Sequence, residues 1–197
     1  DGKLRAVVQD GHGGQSEITT STVSRRLALQ VDIDASYSMQ GSRMETAVHG
    51  LSSLLDVLRP TDLCGVSTFS TEVQNLHRVM QRSKVDAGKD AVNVRANTAR
   101  GGATAFYDAV IKGIEGLKQA KDYLRSRQDR QCMPEFEHVV ITDGGDNSSR
   151  ASLAEVAALV AKPGLRDYQF VVIGVGIDDA TASTLMQLCR PVHAHFH

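Results

Sequence analysis

The sequence carries almost no net charge, −1 at pH 7 over 197 residues. Nothing long-range therefore pulls it toward nucleic acid or an anionic membrane. No apolar run reaches the length of a bilayer-spanning helix, which argues against membrane insertion. The start lacks the basic, then apolar, then small-residue order of a secretory signal. The chain opens on Asp1 rather than Met, which suggests a piece of a longer protein whose targeting segment could lie elsewhere. Only three cysteines occur, Cys64, Cys132 and Cys189, with no CxxC and no metal-finger spacing. That excludes a disulfide framework and points to a reducing compartment. Repeats and low-complexity tracts are missing, and ordinary apolar and charged contents set aside disordered and fibrous classes.

What is present is a regular alternation of strands and helices. Residues 27–33 read as a strand running into a polar loop at Asp34. Met44, Val48, Leu51, Leu55 and Leu58 recur at helical spacing until Pro60. Residues 64–69 form a short strand, and 73–76 can pair with it antiparallel. The stretch 82–98 holds a short helix. Gly101-Gly102 precedes a long amphipathic helix carrying Phe106, Val110, Ile114 and Leu117. Val139 to Thr142 is a buried strand closed by Asp143-Gly144-Gly145, and a helix follows through Leu153, Val156 and Val160. Phe170 to Ile173 is the next buried strand, and residues 181–188 are a short helix. Aliphatic strands alternating with helices imply a mostly parallel sheet covered on both faces. The expectation is one doubly wound α/β domain over 27–197, with about five parallel strands and one antiparallel edge strand in the order 3-2-1-4-5-6. Residues 1–26 form an extension that could add an edge strand.

In such sheets ligands collect at the carboxyl ends of strands. Three strand ends carry hard oxygen donors: Asp34, Ser36 and Ser38; then Thr104 after the double glycine; then Asp143. Mg²⁺ prefers oxygen ligands and keeps some water. Alternate residues Asp34, Ser36 and Ser38 present three oxygens to one point if their loop curls, and Thr104 and Asp143 supply others from neighbouring loops.

These residues carry a family resemblance. Asp34-x-Ser36-x-Ser38-Met39 resembles the DxSxS-M motif of von Willebrand factor A domains. Residues 101–109 are similar to that family's Gly-Gly-Thr-x-x-Tyr-Asp-Ala run, with one extra residue before Thr104. Ile141-Thr142-Asp143-Gly144 resembles its Thr-Asp-Gly segment, residues 62–70 its second strand and 172–176 its fifth. The resemblance runs from about Leu27 to the C-terminus in the family's order. It implies a Rossmann-like fold with a six-stranded sheet and a metal-ion-dependent adhesion site. By that resemblance Ser36, Ser38 and Thr104 bind the metal through hydroxyls, while Asp34 and Asp143 act directly or through water. An Asp or Glu of a partner protein completes the shell, which is binding rather than turnover. Mg²⁺ is the expected cation, with Mn²⁺ and Ca²⁺ open, and the last helix is expected to move when the metal shell changes. Two departures stand out: Gln30 and Asp32 share one side of a strand that is usually apolar, and Tyr37 replaces a common glycine. Asn147-Ser148-Ser149 matches an N-glycosylation pattern, but a glycan there would crowd the site, which again favours an intracellular home.

Other readings compete. Asp34, Ser36 and Ser38 could simply cap a turn before the helix near Ser42. Asp32 and Asp34, two apart at a strand end, resemble the nucleophile motif of haloacid dehalogenase-type phosphotransferases, with Asp143 and Asp146 holding Mg²⁺. A lysine and a flap suited to that chemistry are lacking. His193, His195 and His197 would share one face of a strand and could bind zinc or copper, against a plain terminal strand with exposed histidines.

Overall fold

The computed structural model describes residues 3–9, 15–21, 25–127, 133–165, 168–189 and 194–196. Strand β3 (Leu27–Asp34) has near-continuous burial along its length, as expected of a strand covered on both faces. Its even-numbered side chains face one layer of helices and its odd-numbered ones the other. Helix α1 (Ser42–Val57) buries Met44, Ala47, Val48, Leu51 and Leu55, a spacing that lines one helical stripe. It covers Leu29, Val31 and Ile33, together with Val94 of α2 (Ala87–Arg100). On the opposite face α3 (Phe106–Ser126) lays Phe106, Ala109, Val110, Ile114 and Leu117 into a core shared with Val140 and Val172. Val156 and Val160 of α4 (Leu153–Val160) join that core. A capping box closes the start of α4, Ser152 accepting from the Glu155 backbone while Glu155 accepts from that of Ser152.

The remaining strands of the main sheet are β4 (Leu63–Phe69), β5 (Val73–Gln81), β6 (Glu135–Thr142), β7 (Tyr168–Gly174) and β8 (Ala194–Phe196). Their order is β5-β4-β3-β6-β7-β8. Only β5 runs antiparallel to its neighbour, so the doubly wound α/β sheet of six strands has the expected order. Helix α5 (Asp179–Cys189) lies between β7 and β8.

Three elements depart from the sequence expectation. Strand β5 reaches Gln81 rather than stopping near Leu76, because an edge strand needs only half-burial and tolerates polar residues. Helix α2 is 14 residues long, started by Asp86 accepting from the Lys89 backbone. In the extension, β1 (Lys3–Gln9) and β2 (Gln15–Ser21) pair antiparallel with each other. They make a sheet of their own instead of adding a strand to the main one.

Candidate metal centre

Strands β3 and β6 lie side by side, and their outgoing connections lead to opposite sides of the sheet: β3 to β4, β6 to β7. The crevice above their carboxyl ends is the topological switch point, where backbone loops diverge and leave room for a ligand. Asp34 ends β3 there and is fully buried. Its Oδ1 accepts the Ser36 backbone N–H at 2.9 Å and its Oδ2 the Thr142 hydroxyl at 2.7 Å. Burial pushes its pKa up from 3.8 to about 6, against the hydrogen bonds from Ser36 and Thr142 and with help from the Asp143 charge.

From Asp34 a chain of oxygens runs across the crevice. Ser36 Oγ lies 3.1 Å from Ser38 Oγ, and the Ser38 hydroxyl donates to Asp143 Oδ1 at 2.8 Å. Arg43 Nη1 donates to Asp143 Oδ2 at 2.6 Å and to the Ser38 carbonyl at 3.2 Å. Asp34, Ser36, Ser38 and Asp143 are thus brought together from two loops.

Thr104 enters on a third loop, which is stitched to both others. The Tyr37 N–H donates to the Gly102 carbonyl at 3.2 Å. The Thr104 N–H donates to Asn147 Oδ1 at 2.7 Å, and its carbonyl accepts the N–H groups of Asn147 and Ser148 at 2.9 and 3.2 Å. Asn147, the residue of the glycosylation pattern, therefore uses its side-chain carbonyl to hold this loop. The double glycine has a steric reason. Gly101 has φ +63°, and a Cβ there would sit 2.2 Å from the Tyr37 ring. Tyr37, 65% exposed, lies across Gly101 at the rim of the crevice.

The start of α3 is braced on the same loops. Asp108 accepts the N–H groups of Arg150 and Ala151 at 3.1 and 3.0 Å, and Asp146 accepts those of Tyr107 and Ser149, each at 3.3 Å, as well as the Ser149 hydroxyl. Asp146 is therefore committed to holding the helix start, not to the oxygen cluster. Ser36 is placed before a short turn but makes no side-chain cap bond, and the residue preceding α1 is Gly41 with φ +81°. Neither helix start has a side-chain cap, while the Asp34 carboxylate, accepting the N–H two residues on, does make the turn of the plain reading.

Asp32 takes another position altogether. It and Gln30 are buried, 0% and 4% exposed. Gln30 Nε2 donates to Asp32 Oδ1 at 2.8 Å and to Ser67 Oγ at 2.9 Å, and His138 Nε2 sits 2.6 Å from Asp32 Oδ2. Helix α3 seals them at Gly113, where a Cβ would fall 2.2 Å from His138 and 2.5 Å from Asp32. A carboxylate so enclosed and paired cannot reach phosphorus, which removes the basis of the phosphotransferase reading. Of the terminal histidines, His195 lies in β8, opposite Val171 in the register with β7; His193 and His197 lie outside the described residues.

Two participants escaped the sequence reading. In sequence Thr142 stands out only as part of the Thr-Asp-Gly segment. Strand parity, which puts it on the face of Asp34, was the available signal. Arg43 carried no signal that separates it from a solvated helix residue. Among the described residues no three His, Cys, Asp or Glu side chains gather at one point. The cluster has instead two carboxylates with hydroxyls between them. All its side-chain donors are hard oxygens, which suit Mg²⁺, Mn²⁺ or Ca²⁺ and not a soft metal.

The family model of the von Willebrand factor type A domain matches residues 31–197. Among solved structures, the chain is similar to a von Willebrand factor type A protein from Catenulispora acidiphila, with TM-score 0.58 at 15% identity over 98% of this chain. It is similar to the PilB minor pilin from Streptococcus sanguinis, with TM-score 0.61 at 15% identity over 96%. It also resembles the SpRpn10 VWA domain, with TM-score 0.57 at 14% identity over 87% of this chain and 86% of that one. At these identities the likeness is one of fold. The chain spans 41% of the Catenulispora protein and 61% of the pilin. No curated protein sequence matches.

Proposed function

Because the chain belongs to the von Willebrand factor type A domain family, whose members are in general protein-interaction domains, we propose that it is a non-enzymatic recognition domain within a larger protein. Its binding depends on a divalent cation, Mg²⁺ or alternatively Mn²⁺ or Ca²⁺, held by Asp34, Ser36, Ser38, Thr104 and Asp143. The observation that carries this reading is the oxygen cluster at the β3–β6 switch point, where Asp34, Ser36, Ser38 and Asp143 are linked within 3.1 Å steps beside the Thr104 loop. When bound, the cation supplies a Lewis-acidic centre for an Asp or Glu of a partner protein.

The residues divide the work. Ser36, Ser38 and Thr104 offer neutral hydroxyl oxygens, which leave a cation's charge largely unquenched and so attractive to a carboxylate. Asp34 is held in place by Thr142 and by the Ser36 N–H, so its orientation is fixed before any ligand arrives. Its burial disfavours the bare carboxylate, and a neighbouring cation would offset that penalty.

The test is calorimetric titration of Mg²⁺ and Mn²⁺ into chelator-stripped protein, beside Asp34→Ala and Thr104→Ala. Saturable one-site binding weakened by both substitutions supports the reading. Absence of binding, or binding indifferent to both, rejects it.

A further inference from the structure

Arg43, in the first turn of α1, puts a positive charge directly against the oxygen cluster. Its side chain is 43% exposed, whereas that of Asp143, its ion-pair partner, is fully buried. Three separate loops position it. The loop after β3 offers the Ser38 carbonyl, and the loop after β6 offers Asp143. The turn after β7 offers bare backbone at Gly176, where a Cβ would lie 3.3 Å from Arg43 Nε and 3.8 Å from Cζ and Nη2. Gly176 has φ +64°, a conformation that also favours glycine. The guanidinium is thus seated in a prepared slot rather than waving from a helix surface.

The charges have a consequence for any cation. The formal charges of Asp34 and Asp143 sum to −2, and Arg43 brings the cluster to −1. A divalent cation then leaves +1, where without Arg43 it would leave zero. Arg43 also occupies Asp143 Oδ2, so a cation that takes this carboxylate directly must displace it. Among the described residues Arg43 donates through Nη1, which leaves Nε and Nη2 as further donors in a planar fork suited to a carboxylate.

We propose that Arg43 determines the ligand specificity of this site: it weakens cation binding and strengthens capture of an acidic peptide by the loaded site. The inference rests on the metal-dependent reading above and deepens it, making the domain a binder of acidic segments that needs a high free cation concentration. A single like charge beside a divalent ion acts on the scale of about tenfold in affinity.

The experiment measures Mn²⁺ affinity by calorimetry for wild type, R43Q, R43K and R43Q/D34A. It also measures capture of a glutamate-rich peptide by the Mn²⁺-saturated proteins, with thermal melts as a fold control. The expected result is Mn²⁺ binding about tenfold tighter in R43Q and peptide capture about tenfold weaker; R43K, which keeps the charge but lacks the planar fork, should return Mn²⁺ affinity to near wild type and peptide capture only in part. Binding seen in R43Q but not in wild type rejects the metal-dependent reading for the native domain and this inference with it. Mn²⁺ affinity unchanged or weaker in R43Q, with wild-type binding that still depends on Asp34, overturns the role of Arg43 and leaves the metal site standing. Tighter Mn²⁺ binding with undiminished peptide capture overturns the specificity claim. No Mn²⁺ binding in any variant overturns both readings together.

Discussion

Gly113→Ala tests whether the polar seam under α3 is as tightly closed as the structure implies. The new methyl would lie 2.2 Å from His138 Nε2, 2.4 Å from His138 Cε1 and 2.5 Å from Asp32 Oδ2. Side chains cannot yield outward, because His138 and Asp32 are 1% and 0% exposed and sit on the adjacent central strands β6 and β3. Either α3 lifts or the His138–Asp32 contact breaks. Overpacking of this kind costs about 1–3 kcal/mol, and leaving a buried polar group without its hydrogen-bond partner costs about 1–3 kcal/mol. Alanine's better helix propensity returns about 1 kcal/mol. By either route the net is a loss of up to about 2 kcal/mol, or up to roughly 8 °C in Tm for a domain of this size. Gly116→Ala, one turn along the same helix, is the internal control. Its nearest neighbour is Gln30 Oε1 at 3.8 Å, an ordinary contact. That substitution should stabilise by up to about 1 kcal/mol. The assay is chemical denaturation with matched m-values, supported by thermal melts. A Gly113→Ala protein stabilised as much as the Gly116→Ala one, or a Gly116→Ala protein equally destabilised, would refute the packing argument.

Three further outcomes are expected. Asp34 has its folded pKa raised to about 6 from 3.8, so the fold favours its protonated form, and that contribution to stability is lost as pH rises from about 4 through 6. A cation binds the ionised form; one unit below the pKa only about a tenth of Asp34 is ionised. Mg²⁺ affinity should therefore be about tenfold weaker at pH 5 than at pH 7.5, and equal affinities in a calorimetric pH series would contradict this. Thr142→Val removes the hydroxyl that donates to Asp34 Oδ2. It should lower stability at neutral pH by about 1–3 kcal/mol and move the pH midpoint of Mg²⁺ binding upward. An unshifted midpoint would show that the contact does not set the ionisation of Asp34. Burial pushes the Cys64 thiol up to about 11. In a Cys132→Ser/Cys189→Ser background it should react with a maleimide at pH 7.5 only after denaturation; rapid labelling of the native protein would place that strand outside the core.

Most of the framework was legible because its signals are local. The strand through Val139, Val140 and Ile141 is a continuous aliphatic run bounded by turn residues, and β3 and β7 read the same way. Helix α4 ended where its periodic residues ended, between its Ser152 cap and Pro163. Elements held by polar contacts were less legible. Helix α2 buries Asp90 and Thr98 beside Val94, and Asp90 Oδ2 meets His77 Nε2 of β5 at 3.0 Å. Neither residue signals burial by its type, so both the helix length and the reach of β5 were underestimated.

The candidate site divides along the same line. Asp34, Ser36 and Ser38 are close in sequence, and their loop brings them together in the fold. Asp32 and Gln30 sit only two and four residues upstream of Asp34, and in sequence Asp32 resembled a reactive carboxylate. Their burial becomes sensible only with Ser67, His138 and Gly113, which lie on three other elements. A buried polar group is stable only when satisfied, and satisfaction here is distributed over the sheet. Arg43 obeys the same logic from the surface, since its place is set by Ser38, Asp143 and the missing side chain of Gly176. A residue type announces what chemistry it can do. The residues that approach it from elsewhere in the chain decide whether Asp32 is an exposed nucleophile or a sealed structural residue, and whether Arg43 is a solvated charge or part of the site.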